Sequence, residues 1–293
     1  MGSWSAATVQ SLQHPSLKDR VVIITGGGRG FGWLIAEALL SAGARVVLTA
    51  SRKPEELAEV SAQAEAIAGP GRCITVRADV TKWDDCVATV DAGVKAFGRV
   101  DVLINNAGRF AGEYKGGLAS DPTARVHFYD VPPDAFRTII ETNVIGVFNM
   151  TKAVMPQFLK QGRGKVFSMS TSLPTMYAPG LSPYGGSKAA LEMMHRGWAQ
   201  ELKDKHVDVN ILLPGGAADT TMITQEMAPG KVGERNHLLP ADVIVPPAVW
   251  LCTDETNGMT GERIIAKFWP DGAEPNEALK KCLQPHVEVP AIM

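Results

Sequence analysis

The stretch Val21–Gly32, VVIITGGGRGFG, joins a run of β-branched residues to a cluster of glycines. Val21–Thr25 is continuously apolar up to its final threonine, which is typical of a strand buried on both faces of a sheet. Phe31–Ala42 then follows helical spacing. A strand, a glycine turn and a helix in this order can bring backbone N–H groups to a phosphate at the helix N-terminus. The stretch therefore predicts a nucleotide-binding turn.

Short β-rich runs alternate with longer helical patterns along the rest of the chain. Further strands are predicted at Val46–Thr49, Cys73–Ala78, Val100–Asn105, Lys165–Ser170, Val207–Leu213 and Arg263–Lys267. Further helices are predicted at Pro54–Ala68, Lys82–Phe97, Asp134–Gln161 and Ser182–Lys205. Buried strands that are joined by helices indicate an α/β fold with a doubly wound, parallel, Rossmann-type sheet in three α/β/α layers.

We expect one domain over residues 1–293, because no linker divides the chain. Weak periodicity at the two ends predicts an N-terminal arm at 1–19 and a C-terminal extension at 273–293. Residues 109–131 follow the carboxyl end of the fourth predicted strand, beside the expected cleft, and predict a loop insertion near the substrate mouth. Gly112, Tyr114, Phe128 and Tyr129 are available in it for a mobile cover. A subunit contact or a surface decoration is the alternative for this loop.

Composition excludes several classes of protein. The formal net charge of the 293 residues is −2, and 45% of them are hydrophobic. These values are typical of a globular protein and offer no electrostatic case for nucleic acid or an anionic membrane. The four cysteines and six histidines show no metal-ligand spacing, so we expect no metal. No signal-peptide pattern or long apolar run is evident, and we expect a cytoplasmic protein with no membrane contact.

Four motifs together resemble the classical short-chain dehydrogenase/reductase family. The glycine turn fits T-G-x-x-x-G-x-G over Thr25–Gly32 rather than G-x-G-x-x-G. Asn105-Asn106-Ala107-Gly108 follows the fourth strand, Tyr184-Gly185-Gly186-Ser187-Lys188 forms Y-x-x-x-K, and Pro214-Gly215 follows the sixth strand. The resemblance covers about Lys18 to Gly272. It implies the Rossmann fold, a nicotinamide cofactor and oxidoreductase activity on a small molecule.

The resemblance also implies which residues bind the cofactor. They are Gly26, Gly28, Arg29, Gly30, Phe31 and Gly32 in the turn, Ser51 and Arg52 after the second strand, Asp79 and Val80 after the third, Asn106, Ala107 and Gly108 after the fourth, Tyr184 and Lys188, and Pro214 and Gly215. Among these, Asp79 and Val80 match the family position that contacts adenine.

The end of the second strand bears on the choice between NADP(H) and NAD(H). An acidic residue there would bond the ribose hydroxyls and favour NAD(H). The strand runs instead into Ser51-Arg52, and Arg29 lies inside the glycine turn. Two guanidinium groups suit the dianion of a 2′-phosphate. The alternative is that both arginines are solvated surface charges. We expect NADP(H) as the cofactor, with NAD(H) as the alternative.

Tyr184 and Lys188 are four residues apart, so they share one face of a helix. A free tyrosine has a pKa near ~10, which makes it a poor acid–base catalyst at neutral pH. A lysine cation next to it, with a nearby nicotinamide that is positive in its oxidised state, would stabilise the phenolate and lower that pKa. We therefore expect Tyr184 to act as the general acid/base. The resemblance implies that Lys188 also holds the ribose of the nicotinamide nucleotide.

The resemblance further implies a catalytic hydroxyl at the end of the fifth strand, 13 residues before the tyrosine. That position is Thr171, where the family usually has serine, and it is flanked by Ser170 and Ser172. A threonine hydroxyl can bond a substrate oxygen equally well, and we expect Thr171 in this role with Ser172 second. Asn143 matches the family asparagine that helps to hold a water near the lysine, and a buried structural amide is its alternative.

The most concrete prediction is an NADP(H)-dependent reductase or dehydrogenase that acts on a carbonyl or a secondary alcohol. The alternatives are a nucleotide-sensing protein without turnover and an isomerase or dehydratase with tightly held cofactor. A homo-oligomer, a tetramer or a dimer, is also expected. Its basis is partly the resemblance and partly the apolar bulk of Leu191, Met193, Met194 and Trp198.

Overall fold

The computed structural model describes residues 12–51, 54–110, 126–223, 231, 234–235 and 237–285. Its strands are β1 (Val21–Ile24), β2 (Arg45–Ala50), β3 (Cys73–Arg77), β4 (Val102–Asn105), β5 (Gly164–Met169), β6 (Val207–Leu213) and β7 (Arg263–Ile265). They form one sheet in the order β3-β2-β1-β4-β5-β6-β7, and every neighbouring pair is parallel. The predicted doubly wound parallel sheet is confirmed.

The helices are α1 (Gly30–Ser41), α2 (Pro54–Ala68), α3 (Trp83–Phe97), α4 (Pro133–Ile140), α5 (Gly146–Gln161), α6 (Leu173–Met176), α7 (Ser182–Leu202), α8 (Val245–Leu251) and α9 (Pro275–Cys282). Across the described ranges, no helix combines the length and apolar character that crossing a membrane requires.

The sheet has a hydrophobic core on each face. All four residues of β1 are buried, and they alternate between the two cores because successive side chains of a strand point to opposite faces. Val22 and Ile24 pack in the core that includes residues of α1, α2 and α8. Val21 and Ile23 pack in the core that includes residues of α3, α5 and α7. Burial on both sides explains why β1 reads as a continuous apolar run.

The strand order places the candidate site. Chain order runs outward in opposite directions from β1 and β4, which are hydrogen-bonded neighbours at the centre of the sheet. In open α/β sheets a crevice opens at such a reversal, outside the carboxyl ends of the strands. The glycine turn after β1, the Asn-Asn-Ala-Gly segment at the end of β4 and the hydroxyl residues after β5 all lie at this edge.

Most predicted boundaries lie within two residues of the observed ones, but two helices differ. Asp134–Gln161 was expected to be one helix, whereas a π-helical turn at Glu141–Ile145 separates α4 from α5. A π turn changes the hydrogen-bond register locally while the chain stays helical, so amphipathic spacing does not reveal it. The helix predicted at Ser182–Lys205 ends at Leu202, where a 3₁₀ turn follows.

Residues near both chain ends pack in the hydrophobic core, although weak periodicity predicts an arm and an extension there. Leu12 and Leu17, within the expected arm 1–19, are buried in the core beside α1. In the expected extension 273–293, α9 buries Leu279 and Cys282 in the same core. Helices as short as α9 offer too few turns for a periodic signal. Residues 1–11 and 286–293 lie outside the described ranges, as do residues 111–125 of the predicted insertion.

Candidate active site

The glycine turn needs its glycines for two physical reasons. Gly26 and Gly30 have φ angles of +64° and +56°, a region that favours glycine. Gly32 is needed for space, since a Cβ there would overlap the carbonyl oxygen of Gly26 and lie 2.6 Å from Nδ2 of Asn106. A Cβ on Gly26 would lie 2.9 Å from Cα of Ala107. The turn therefore packs directly against the segment that follows β4.

Asn106 joins these two segments by hydrogen bonds. Its Nδ2 donates to the carbonyl oxygens of Thr25 and Gly26, both at 2.9 Å. The backbone N–H groups of Asn106 and Ala107 donate to Oγ1 of Thr25 at 3.1 and 3.0 Å. The described contacts of Asn106 thus brace the turn. Sequence reasoning assigned Asn106 to the cofactor and did not assign this role to Thr25.

A cavity of about 380 Å³ opens between the turn and the ends of β2, β3 and β4. Most of the predicted cofactor residues line it, namely Gly26, Gly28, Arg29, Gly30, Phe31, Ser51, Asp79, Val80, Asn106, Ala107 and Gly108. Further lining residues were not predicted, and they include Thr49, Glu56, Phe110, Thr142, Thr220, Thr221 and Met222. No local motif marks these positions, because their meeting depends on the packing of separate loops.

The donors along the cavity suit the phosphates of a nicotinamide dinucleotide. The volume of the cavity lies in the range of small-molecule sites. Gly30, which begins α1, lines the cavity, and the side chain of the N-cap residue Arg29 makes no capping hydrogen bond. The first N–H groups of a helix lack intrahelical partners, so they are available to phosphate oxygens. The turn and the start of α1 are therefore the part of the chain that would hold the pyrophosphate.

Two predicted cofactor residues, Pro214 and Gly215, lie beside β7 and do not line this cavity. The carbonyl oxygen of Pro214 accepts from the N–H of Lys267 at 3.1 Å. Gly215 has φ +92°, and a Cβ on it would lie 2.7 Å from Cγ2 of Ile265. This close packing lets the chain turn after β6, and Thr220, a few residues later, reaches the cavity.

The predicted 2′-phosphate site contains a carboxylate next to one of its two expected arginines. Arg29 lies in the cavity lining, but its Nη1 is 3.4 Å from Oε1 of Glu56, which lines the same cavity. Arg52 lies outside the described residues. A 2′-phosphate bound by Arg29 would therefore share that guanidinium with a carboxylate.

Tyr184 and Lys188 lie in the first two turns of α7, and both are buried. Thr171, in the loop after β5, forms a side-chain hydrogen bond with Tyr184. The two neighbouring hydroxyls have other partners: Ser170 Oγ donates to Oε1 of Glu192 at 2.5 Å, and Ser172 Oγ pairs with Oγ1 of Thr175 at 2.9 Å. Of the three candidates, Thr171 is the one that the structure brings to the tyrosine.

Burial sets the pKa values of this pair. Loss of solvent raises the pKa of Tyr184 to about 12, although the hydrogen bond from Thr171 acts in the opposite direction. Burial also lowers the pKa of Lys188 to about 8, against the influence of Glu192. The lowering of the tyrosine pKa predicted from the sequence depends on a bound, positively charged nicotinamide as well as on Lys188, and it stays a prediction. Lys188 Nζ donates to the carbonyl oxygen of Met169 at 2.7 Å and lies 5.8 Å from the centre of the tyrosine ring.

Asn143 lies inside the π-helical turn and is fully buried. Its Oδ1 accepts from the N–H of Arg109 at 2.8 Å. Its Nδ2 donates to the carbonyl oxygen of Arg109 at 3.0 Å and to Oγ of Ser187 at 2.9 Å. Ser187 in turn donates to the carbonyl oxygen of Tyr184 at 2.6 Å. The side chain of Asn143 thus connects the loop after β4 to the helix that carries the tyrosine.

Two contacts connect this tyrosine cluster to the nucleotide cavity. The ring of Phe110, which lines the cavity, packs edge-on against Tyr184 with 4.6 Å between ring centres. A Cβ on Gly108, another lining residue, would lie 3.8 Å from Nζ of Lys188. The tyrosine cluster and the cavity are therefore adjacent parts of one site. In the described part of the chain, no group of three or more potential ligands is placed to hold a metal ion.

Comparison with known proteins agrees with this geometry. The short chain dehydrogenase family matches residues 20–230. Oxidoreductase BOA17 of Botryotinia fuckeliana is 37% identical over 197 residues, which are 67% of this chain, and the chain spans 65% of that relative's length.

Two solved structures extend the comparison. The 3-ketoacyl-(acyl-carrier-protein) reductase from Brucella melitensis, complexed with NADH, is 27% identical with a TM-score of 0.71. A short chain dehydrogenase from Burkholderia cenocepacia, in complex with NADP, is also 27% identical with a TM-score of 0.70. Each comparison covers 85% of this chain and 96% of the other. On these matches, this chain belongs to the short chain dehydrogenase family.

Proposed function

We propose that the protein is an NADP(H)-dependent oxidoreductase that interconverts a carbonyl and a secondary alcohol on a small molecule. The observation that carries this proposal is the side-chain hydrogen bond between Thr171, which is partly buried, and Tyr184, which is buried with Lys188 beside the nucleotide cavity. Two hydroxyls within hydrogen-bonding reach of each other can bind a single carbonyl oxygen together. A small-molecule substrate at this position would lie between these hydroxyls and the cavity.

The bound nicotinamide would supply the hydride in reduction and accept it in oxidation. In reduction Tyr184 donates its phenolic proton to the substrate oxygen, while the hydroxyl of Thr171 hydrogen-bonds the same oxygen. A pKa of about 12 keeps Tyr184 in its proton-donating form at neutral pH. The cation of Lys188 favours the phenolate left after transfer. Asn143 keeps this helix in register with the loop after β4 through its bonds to Arg109 and Ser187.

Cofactor preference and turnover are tested together. We expect NADPH to be consumed with at least some members of a panel of aldehydes, ketones, quinones, steroids and 3-oxoacyl thioesters, with a KM about tenfold below that of NADH. Arg29→Ala combined with Arg52→Ala should remove the preference, because each lost charged hydrogen bond costs about 1.5–3 kcal/mol. The measurement is the initial rate at 340 nm with each cofactor.

Arg163→Ala, at the opposite edge of the sheet before β5, is the control, and it should leave both KM values unchanged. Equal KM values for NADPH and NADH in the wild type would refute the preference. Binding of NADPH without oxidation across the whole panel would instead identify a nucleotide sensor. A cofactor that survives purification, with conversion of a substrate but no net redox change, would identify an isomerase or a dehydratase.

We also propose that the protein is a cytoplasmic homo-oligomer, a tetramer or a dimer. Leu191, expected to contribute to a surface, is fully buried, whereas Met193 is 45% exposed. On α5, Phe148 is 40% exposed and its ring lies 6.5 Å from that of Trp198 on α7. These side chains leave apolar surface on two neighbouring helices.

Light scattering at micromolar concentration should therefore give a mass of at least twice the 31.3 kDa of one chain. Phe148→Asp should shift the protein towards the monomer, because a buried unpaired charge is costly at an apolar interface. The exposed Phe268→Asp, near the other end of the chain, is the matched control. A wild-type mass near 31.3 kDa would rule the oligomer out.

A further inference from the structure

An ion pair lies behind the tyrosine cluster and has no part in the function proposed so far. Glu192 is on α7, one turn after Lys188, and Arg263 is the first residue of β7. Nε of Arg263 lies 3.0 Å from Oε2 and 3.2 Å from Oε1 of Glu192. The two side chains are only 17% and 15% exposed. Such a pair loses much of its hydration, so good geometry must compensate for it.

Both members of the pair also hold the segment that carries the catalytic hydroxyl. Oε1 of Glu192 accepts from Oγ of Ser170 at 2.5 Å. Nη2 of Arg263 donates to the backbone carbonyl oxygen of Thr171 at 2.7 Å. The backbone at Thr171 is therefore held by Arg263, while its side-chain hydroxyl bonds to Tyr184.

Arg263 also connects this segment to the C-terminal part of the chain. Its Nη1 donates to Oε1 of Gln284 at 2.5 Å, and its carbonyl oxygen accepts from the N–H of Gln284 at 2.9 Å. All three nitrogens of the guanidinium group thus have acceptors. A lysine at position 263 would keep the charge but could not reproduce this planar, three-way arrangement.

The charge of Glu192 also acts on Lys188. Its carboxylate opposes the effect of burial on the pKa of Lys188. The other groups around Lys188 carry little charge at neutral pH: Tyr184 is protonated, and burial lowers the pKa of His195 to about 4. The carbonyl oxygen of Met169, in β5, accepts a hydrogen bond from Lys188. Gly108, in the loop after β4, is a further neighbour and is uncharged. The nearby cation Arg263 is paired with Glu192.

We propose that Glu192 and Arg263 are positioning residues for the reaction: Arg263 holds the backbone of Thr171 in place, and Glu192 supports the positive charge of Lys188. This inference rests on the proposed function. It predicts two separable effects, since one residue acts through geometry and the other chiefly through charge.

The test compares the pH dependence of kcat/KM for carbonyl reduction in the wild type, Glu192→Gln and Arg263→Lys. Glutamine keeps the shape of the side chain but removes its charge, so Lys188 should lose its proton more easily. The alkaline limb of Glu192→Gln should move to lower pH by about half a unit, roughly a threefold change in the acid dissociation constant. Arg263→Lys should leave the limb in place and lower kcat about tenfold, with the KM for NADPH within about a factor of two of wild type.

Glu201→Gln is the matched control, because Glu201 is an exposed glutamate on the same helix. It should give the wild-type profile. If circular dichroism shows that Arg263→Lys does not fold, the inference is tested with Glu192→Gln alone. An alkaline limb of Glu192→Gln that coincides with the wild type would overturn the inference, and so would a folded Arg263→Lys that retains the wild-type kcat.

A second readout separates this inference from the proposed function. If the wild type reduces no carbonyl in the panel, the proposed function fails, but Lys188 can still be followed through Tyr184. The chain has four tyrosines, so ¹³Cζ-tyrosine labelling gives a spectrum simple enough to assign with Tyr184→Phe. The inflection that Lys188 imposes on the Tyr184 signal should occur at lower pH in Glu192→Gln than in the wild type. Identical titrations would overturn the inference whatever the activity.

Discussion

Tyr184→Phe should fold and bind NADPH but lose turnover by about 10²–10⁴-fold, the range typical of general acid–base catalysis. Only the phenolic O–H is removed, while the ring that packs against Phe110 remains. The loss should appear in kcat, because the proton is needed in the transition state and not for binding of the cofactor. Steady-state kinetics on the best carbonyl substrate and fluorescence titration of NADPH measure the two quantities separately.

Tyr177→Phe is the matched control for this variant. It makes the same chemical change on a side chain that is 77% exposed, in the loop between α6 and α7. Its kcat and its NADPH affinity should equal those of the wild type. A Tyr184→Phe enzyme that kept most of its kcat would show that another group supplies the proton.

Gly32→Ala should weaken NADPH binding by at least about 100-fold and destabilise the protein by about 1–3 kcal/mol, the usual cost of overpacking. An added Cβ would overlap the carbonyl oxygen of Gly26 and crowd Nδ2 of Asn106, so the backbone of the turn must move. That movement spreads the N–H groups that are available to the pyrophosphate. Isothermal titration with NADPH and denaturant unfolding measure the two effects.

Gly197→Ala makes the same substitution in the middle of α7, where no atom would contact the new Cβ within 4 Å. It should bind NADPH normally and should be more stable by about 0.5–1 kcal/mol, because alanine loses less backbone entropy in a helix. Wild-type affinity in Gly32→Ala would mean that the turn does not bind the pyrophosphate in the way that we infer.

Local sequence signals predicted well where the strands and the main helices lie along the chain. β1 is recognisable because a strand buried on both faces reads as a continuous apolar run. The π-helical turn at Glu141–Ile145 and the short helices α6, α8 and α9 were not predicted. A change of helical register leaves little trace in amphipathic spacing, and α6 has only four residues. The packing of α9 depends on a core that lies far away in the sequence.

Some residues of the candidate site could likewise be predicted from local sequence, and others could not. The spacing of Tyr184 and Lys188 and the glycines of the turn could be identified from the sequence, because their roles depend on local geometry. The ion pair of Glu192 and Arg263 could not be, since the bond from Arg263 to Thr171 joins residues 92 positions apart. Pro214 and Gly215 pack beside β7, and their contact with the cofactor stays a prediction.

The sequence by itself determined the doubly wound sheet, the glycine turn after β1 and the helix that carries Tyr184 and Lys188, because hydrophobic periodicity and glycine chemistry act over a few residues. Only the tertiary structure decided which of three consecutive hydroxyls meets Tyr184, since that depends on the partners that Ser170 and Ser172 find elsewhere. It also decided the direction in which the pKa of Tyr184 moves. Burial removes water from the phenol, and this desolvation raises its pKa because the charged phenolate loses more hydration than the neutral form.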